Sequence, residues 1–439
     1  MINDRYLKVI DEKAEDINNL VDYLYDNPET SFLEVKSSQA LIKALKDEGF
    51  TVITPVAGLD TAFTATFGDG EPHIGVLCEY DAIGGYSQVG AVDHQEEIKG
   101  EINSHGCGHN LFAGGSYGAV LAVKKYIQDN KVGKITLFGC PAEEGGGGKV
   151  IMCDNGVFNG VDAVVSWHPE SMYMVRTRPA LACMKVDYTF KGISAHAGAN
   201  PQDGRSALDA LELMNIGVNF LREHIPMSSR VHYAILDAGG DAPNVVQSHA
   251  KVRYMIRANT VSEVENIADR VSSIAKGATL MTDTEVEEGR IVTYKDLITI
   301  PTLQALANEV MQSIPLPTPT LDEIEFAKKL QDTMNLTDEQ KEKPFADKVL
   351  EPAPPIAHGG STDTANVSYI VPTVQMHVGC WIKGTPGHSW QSATESKWSY
   401  AKRATLWASK AVAGTVISVM GDKEALKKAK EEHSRCVRN

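Results

Sequence analysis

Apolar residues recur at helical spacing in two early stretches, YLKVIDEKAEDINNLVDYLYDN (6–27) and SSQALIKALKDEGF (37–50). The second opens on serines and closes near Gly49, a pair of cap signals that brackets a helix. The pattern then changes. HIGVLCEYD (73–81), KITLFGCPAEE (134–144) and DAVVSWHPE (162–170) are continuous apolar runs, which predict parallel strands covered on both faces. Between the first two lies NLFAGGSYGAVLAVKKYIQDN (110–130), a helix pattern rich in small residues that permit close packing. Strands alternating with helices predict an α/β sheet.

Near residue 183 the pattern changes again. CMKVDYTFKG is an alternating strand, RVHYAIL and AKVRYMIRA are two more, and VSEVENIADRVSSIAKGATLM is an amphipathic helix. In SALDALELMNIGVNFLREHI, Leu208, Leu211, Met214, Val218 and Leu221 form one helical stripe. Two helices on an antiparallel sheet make a compact α+β unit. More α/β-type sequence follows it, so the expectation is an insertion: residues 183–295 set into a domain made of 1–182 and 296–439. LTDEQKEKPFADKVLEPAPPIA (336–357) reads as a long surface connection, and KEALKKAKEEHSRCVRN (423–439) as a solvated helix end or tail.

Composition narrows the function. The chain has 439 residues, 43% hydrophobic and 23% charged, as expected of a globular protein of two or three units. A formal net charge of −15 argues against nucleic acid and against anionic membrane surfaces. No apolar run reaches the length of a membrane span, and the charged opening residues hold no signal-peptide core. Seven scattered cysteines suit a reducing compartment better than a disulfide framework. A cytoplasmic location is the expectation.

The chemistry concentrates at the strand ends. NSHGCGHN (103–110) sets Cys107 and His109 one residue apart among glycines, either a turn that carries soft side chains or half of a metal site. The three buried-type strands finish in metal-competent groups: Glu79 and Asp81, Glu143 and Glu144, and His168. The carboxyl ends of parallel strands line the ligand crevice of an open α/β sheet. Adjacent carboxylates repel, so one of Glu143 and Glu144 is expected to bind a cation or hold a proton. The division proposed is Glu144 as ligand and Glu143 as general base toward a cation-activated water. His388, in the glycine- and proline-shaped GTPGHSWQ, is the candidate for the last ligand. His377 reads as core or a supporting contact, while His105 and His358 stay unassigned.

Taken in order, EYDAIGG, HGCGHN, PAEEGGGG, WHPE, SAHAGANPQDGRSALDA, APNVV, GSTDTANVS and GTPGHSWQ run along almost the whole chain. With them the sequence resembles the co-catalytic metallopeptidase family of aminoacylases, carboxypeptidase G and auxin-conjugate amidohydrolases. The likeness runs especially to the p-aminobenzoyl-glutamate hydrolase B-subunit group, which includes dipeptidase-like proteins. The resemblance implies a zinc-peptidase-like α/β catalytic domain with an inserted ferredoxin-like α+β lid, which mediates dimerisation in relatives.

It also implies two divalent metals sharing Cys107 as a bridging thiolate, with His109, Glu144, His168 and His388 completing the shells. Glu143 matches the general base and Asp81 the aspartate that orients or polarises the site. His196 matches a histidine that stabilises the tetrahedral intermediate, often across a dimer. Asn244 matches a polar substrate contact and Arg257 a grip on the substrate carboxylate, for which a planar guanidinium is suited. Each of these three has a bland alternative: a turn cap for His196, a turn residue for Asn244, a strand-edge ion pair for Arg257.

Two departures stand out. YSQVGAVDHQEEIKGEINS (86–104) is longer and more acidic than its counterpart in the amidohydrolases, and Gln247 stands where proline is common.

The expected activity is metal-dependent hydrolysis of the amide bond of an N-acyl or N-aminoacyl amino acid with a free carboxylate, such as an aminobenzoyl-glutamate or a dipeptide. Zinc or manganese is the expected metal, with cobalt admitted. Self-pairing is the expected assembly and pairing with a related subunit the alternative. Two other readings stay open: a catalytically silent partner subunit, and a structural metal site with a closed four-ligand sphere.

Overall fold

The computed structural model describes residues 4–177, 179–352 and 360–437. Its contacts divide the chain into two units. The first comprises Met1–Arg178, Ile298–Pro355 and Val367–Asn439; the second comprises Pro179–Leu297 and the described part of Ile356–Asn366. That last segment is a difference from the sequence reading, which left it with the first unit. Within the second unit, Leu181 N donates to Gly360 O (3.0 Å) and Arg257 Nη1 to Ser361 Oγ (2.8 Å). These contacts are long-range and leave no periodic signal.

The first unit is built on an eight-stranded sheet in the order Thr51–Ile53, Phe63–Phe67, Lys134–Cys140, His73–Glu79, Ala163–Glu170, Thr373–Gly379, Tyr173–Val175, Val349–Leu350. The three strands predicted from their apolar runs, with Thr373–Gly379, form its parallel centre. The sheet as a whole is mixed, because Phe63–Phe67 pairs antiparallel with Lys134–Cys140 and Tyr173–Val175 antiparallel with Thr373–Gly379. Val76, Leu77, Leu137, Val164 and Val165 are fully buried, as a sheet covered on both faces requires.

The helices His109–Asn130 and Ser399–Gly421 both bury most of their circumference, and Ser409 Oγ donates to Gly115 O (2.9 Å) where they meet. The early helical pattern is two helices, Asp4–Glu12 and Ala14–Tyr25, broken at Lys13.

The second unit is a four-stranded antiparallel sheet in the order Arg230–Asp237, His249–Ala258, Ala182–Lys191, Glu285–Tyr294, carrying the helices Ala207–Leu221 and Val261–Thr282. Leu211, Met214, Val218 and Leu221 of the predicted stripe are buried there, with Leu208 packed at the edge. Two hydroxyls cap these helices: Ser206 Oγ accepts from Asp209 N and Thr260 Oγ1 from Glu263 N. The Gln247 carbonyl accepts from Ala207 N (2.9 Å) and its side-chain Oε1 from Ser206 Oγ (3.4 Å), both at the helix start. No described helix is long and apolar enough to cross a membrane.

Candidate metal centre

Within the first unit, the carboxyl ends of three parallel strands and two loops converge. Cys107 and His109 flank Gly108, whose φ of 71° lets the chain turn left-handed as it enters the helix His109–Asn130. Glu143 and Glu144 follow the strand Lys134–Cys140, Asp81 follows His73–Glu79, and His168 lies near the end of Ala163–Glu170. His388 arrives from a separate loop, φ 58°, with its amide donating to Gly106 O (3.2 Å). Ser392 Oγ donates to the same carbonyl (2.6 Å), so the loops bearing Cys107 and His388 share an anchor.

Three groups of metal-competent atoms lie within 4.8 Å of one another: Cys107, His109 and His168; Cys107, Glu144 and His388; Glu79, His109 and Glu143. Cys107 is common to the first two. Its sulfur is 3.6 Å from His168 Nε2, and His388 Nε2 is 3.6 Å from Glu144 Oε1. A shared thiolate between two triads is the donor set of a cation pair, and thiolate with imidazole suits zinc while the carboxylates admit manganese.

The imidazoles are oriented by what their other nitrogens do. His109 Nδ1 faces Asp81 Oδ1 (2.9 Å), and His168 Nδ1 faces Pro169 O (2.7 Å). Both are therefore donors at Nδ1, which leaves the Nε2 lone pairs for a cation. His109 Nε2 and Glu144 Oε1, each buried, have no hydrogen-bond partner among the described residues. Orphaned buried acceptors of this kind are costly unless something electropositive meets them. The residues fit a metal pair.

Electrostatics separate the groups: although burial opposes it, Cys107 and Asp81 raise His109 well above the usual imidazole range. Burial, and then the Glu144 charge, push the Cys107 thiol well above its usual range, so a thiolate there needs cations beside it. Burial, and then His109, push His168 down to about 4, which keeps it neutral as a ligand must be. Asp81, although burial opposes ionisation, is held below the usual carboxylate range by His109 and by the Glu144 amide, which donates to Oδ2 (2.9 Å).

Sequence reasoning named Glu79 among the strand-end groups but missed two neighbours, Lys149 and Glu34. Glu79 Oε2 lies 3.3 Å from His109 Nε2, and its Oε1 pairs with the fully buried Lys149 (2.7 Å). Glu34, fully buried, accepts from the Ala142 amide, one residue before Glu143 (2.9 Å). Lys149 follows a glycine run as a surface lysine would, and Glu34 is one acid among many near the start, so neither carries a signal in the sequence.

The unassigned His105 is buried, with Nε2 3.1 Å from Leu24 O, a structural contact. His377 stands in register with His168 on the adjacent strand, their ring centroids 6.5 Å apart. His358 lies outside the described residues. The long segment 86–104 packs on the turn after His388: Ala91 N donates to Thr394 O (2.9 Å), and Tyr86 Oη to Ser389 O (3.3 Å).

His196, Asn244 and Arg257 belong to the second unit. His196 is exposed, and its Nδ1 accepts from Gly198 N (3.2 Å) and Ala199 N (3.1 Å), so the ring proton sits on Nε2 and points away from the turn. A β-bridge between His196 and Val245 sets Asn244 beside it, and Asn244 O accepts from Ala197 N (2.9 Å). Arg257 lies on the central strand His249–Ala258, opposite Cys183, and binds Ser361.

Comparison with known proteins places these features. Residues 79–409 match peptidase family M20/M25/M40. The chain is 38% identical to the B subunit of p-aminobenzoyl-glutamate hydrolase from Escherichia coli K12, over 97% of this chain and 93% of that one. It is 28% identical to the Xaa-Arg dipeptidase of Mus musculus, over 96% and 89%. Among solved structures it superposes on a Bacillus subtilis protein described as a dinuclear metal-binding peptidase of the M20 family. The TM-score is 0.61 at 16% identity, covering 94% of this chain and 99% of that one.

Proposed function

Because the chain belongs to peptidase family M20/M25/M40 and is a hydrolase of that family, we propose that it cleaves the amide bond of an N-acyl or N-aminoacyl amino acid bearing a free carboxylate. Aminobenzoyl-glutamate-type compounds and dipeptides are the first candidates, since the two relatives named above act on such molecules by name. The observation that carries the reading is Cys107 shared between two ligand groups, with Glu143 in a third group alongside.

In this reading Cys107, His109, Glu144, His168 and His388 hold two divalent cations, zinc or manganese. Bound cations lower the pKa of a water toward neutrality and polarise the scissile carbonyl. Glu143 accepts the proton of the attacking water and delivers it to the leaving nitrogen. Asp81 keeps His109 in the tautomer that offers Nε2. His196 donates its Nε2–H to the oxygen that gains charge in the tetrahedral intermediate, an electrostatic contribution of a few kcal/mol in comparable sites. Asn244 adds a polar contact, and Arg257 receives the substrate carboxylate.

The test is direct. Purified full-length protein loaded with zinc or manganese is assayed on a panel of N-acyl amino acids, dipeptides and p-aminobenzoyl-glutamate, beside Glu143→Gln. The variant is expected to keep its two metals and to lose roughly 10²–10⁴-fold in kcat. Undiminished turnover in Glu143→Gln removes that residue from the role. A wild type that binds two metals yet hydrolyses nothing on the panel favours the second reading, a silent subunit. The Escherichia coli relative is by name one subunit of a hydrolase, which motivates that reading and a companion measurement of solution mass with and without a related chain.

A further inference from the structure

Two residues other than glycine in and around the base loop adopt left-handed backbone: Phe32, φ 66°, and Ala142, φ 60°. L-residues avoid this region because Cβ crowds the carbonyl oxygen, so each needs something to hold it there. One atom serves both. Glu34 Oε1 accepts from Phe32 N (2.9 Å) and from Ala142 N (2.9 Å), while Oε2 meets Thr61 Oγ1 (2.9 Å). Glu34 is fully buried.

The two turns also touch directly. A Cβ on Gly146 would come within 2.1 Å of the Phe32 ring, so the glycine lets the ring edge approach the base loop. The loop closes on itself through Gly146 N and Gly147 N, both donating to Ala142 O (3.0 and 2.8 Å). Glu144 has an anchor of its own, its amide on Asp81 Oδ2 (2.9 Å). The neighbouring carboxylates thus have separate tethers, Asp81 for the ligand and Glu34 for the residue preceding the base.

We infer that Glu34 is a positioning residue for Glu143: it fixes the left-handed turn at Ala142 and thereby aims the base, without setting the metal ligands. The role rests on the hydrolase reading above, but the clamp itself can be observed apart from turnover. Glutamine at this position keeps an acceptor for the two amides and gives Thr61 Oγ1 a donor. Alanine removes both.

The experiment compares Glu34→Gln, Glu34→Ala and wild type by steady-state kinetics, metal content and amide hydrogen exchange over residues 138–148. Glu34→Ala is expected to lose at least tenfold in kcat with KM within threefold, to keep two metals, and to exchange the Ala142 amide at least tenfold faster. Glu34→Gln is expected to stay within threefold of wild type in all of these. The inference is overturned if Glu34→Ala keeps wild-type kcat, if it loses its metals together with its activity, or if Glu34→Gln is equally impaired. If Glu34→Ala does not fold, Glu34→Asp is measured in its place, since it retracts the carboxylate by one methylene. A tenfold loss of kcat there at unchanged metal content supports the role, and wild-type kcat refutes it. Should wild type hydrolyse no substrate, faster exchange at Ala142 in the variant still supports the clamp while the hydrolase reading fails, and unchanged exchange refutes the clamp.

Discussion

Asp81 holds two groups with one carboxylate. Oδ1 takes the His109 Nδ1–H and Oδ2 the Glu144 amide, so the aspartate orients two of the proposed ligands at once. Asparagine can accept only through its single oxygen, and its NH2 would then face the other donor. Asp81→Asn is therefore expected to weaken metal binding by roughly 10–100-fold, the usual effect of breaking a ligand's supporting hydrogen bond. Competition against a chromogenic chelator measures it, and an unchanged affinity would show that Asp81 orients nothing. The candidate ligands stood out in the sequence because each sits where a strand ends or a glycine-framed loop turns. Glu34 and Lys149 were not. Their partners are a backbone amide and a strand-end carboxylate distant in sequence, and no local pattern records such a pairing.

At the level of elements, the loop that delivers His388 is braced by another buried carboxyl. Glu395, on the helix Trp390–Glu395, accepts from Ile382 N (2.8 Å) and Thr385 Oγ1 (2.7 Å), and burial raises it to about 8. The sign of the pH effect follows from proton counting. Between the ordinary carboxyl value of 4.5 and about 8, the folded chain keeps this proton and the unfolded chain has lost it. Stability from Glu395 is thus complete below about 4.5 and falls as pH rises through 8. Urea midpoints for Glu395→Gln are expected to decline less than those of wild type from pH 5 to 9, and parallel slopes would refute the assignment. Element prediction succeeded where burial imposed periodicity. It missed the strand Glu285–Tyr294, whose opening EVEEGR is an exposed sheet edge and therefore reads as polar loop. It also ran two helices together across Lys13, where no glycine or proline marks the break.

For the whole molecule, all three metal-competent groups found among the described residues lie in the first unit. A ligand that binds only the folded state stabilises it by mass action, about 2.7 kcal/mol at a hundredfold excess over Kd. Chelation is accordingly expected to lower one calorimetric transition and to leave a second in place, because chains of more than one unit need not unfold in a single step. If both transitions move equally, the units do not unfold separately. The α/β character of the first unit and the inserted α+β unit were readable from the change in strand pattern near residue 183. The antiparallel margins of the large sheet were not, since strand direction is set by pairing across distant segments. The insertion has one further consequence, in time. About 220 residues separate His168 from His388, so at ordinary ribosomal speed four of the five proposed ligands emerge roughly 10–45 s before the fifth. On the proposed ligand set, the nascent polypeptide carries an incomplete coordination sphere throughout that interval, and cation loading finishes only when translation is nearly over.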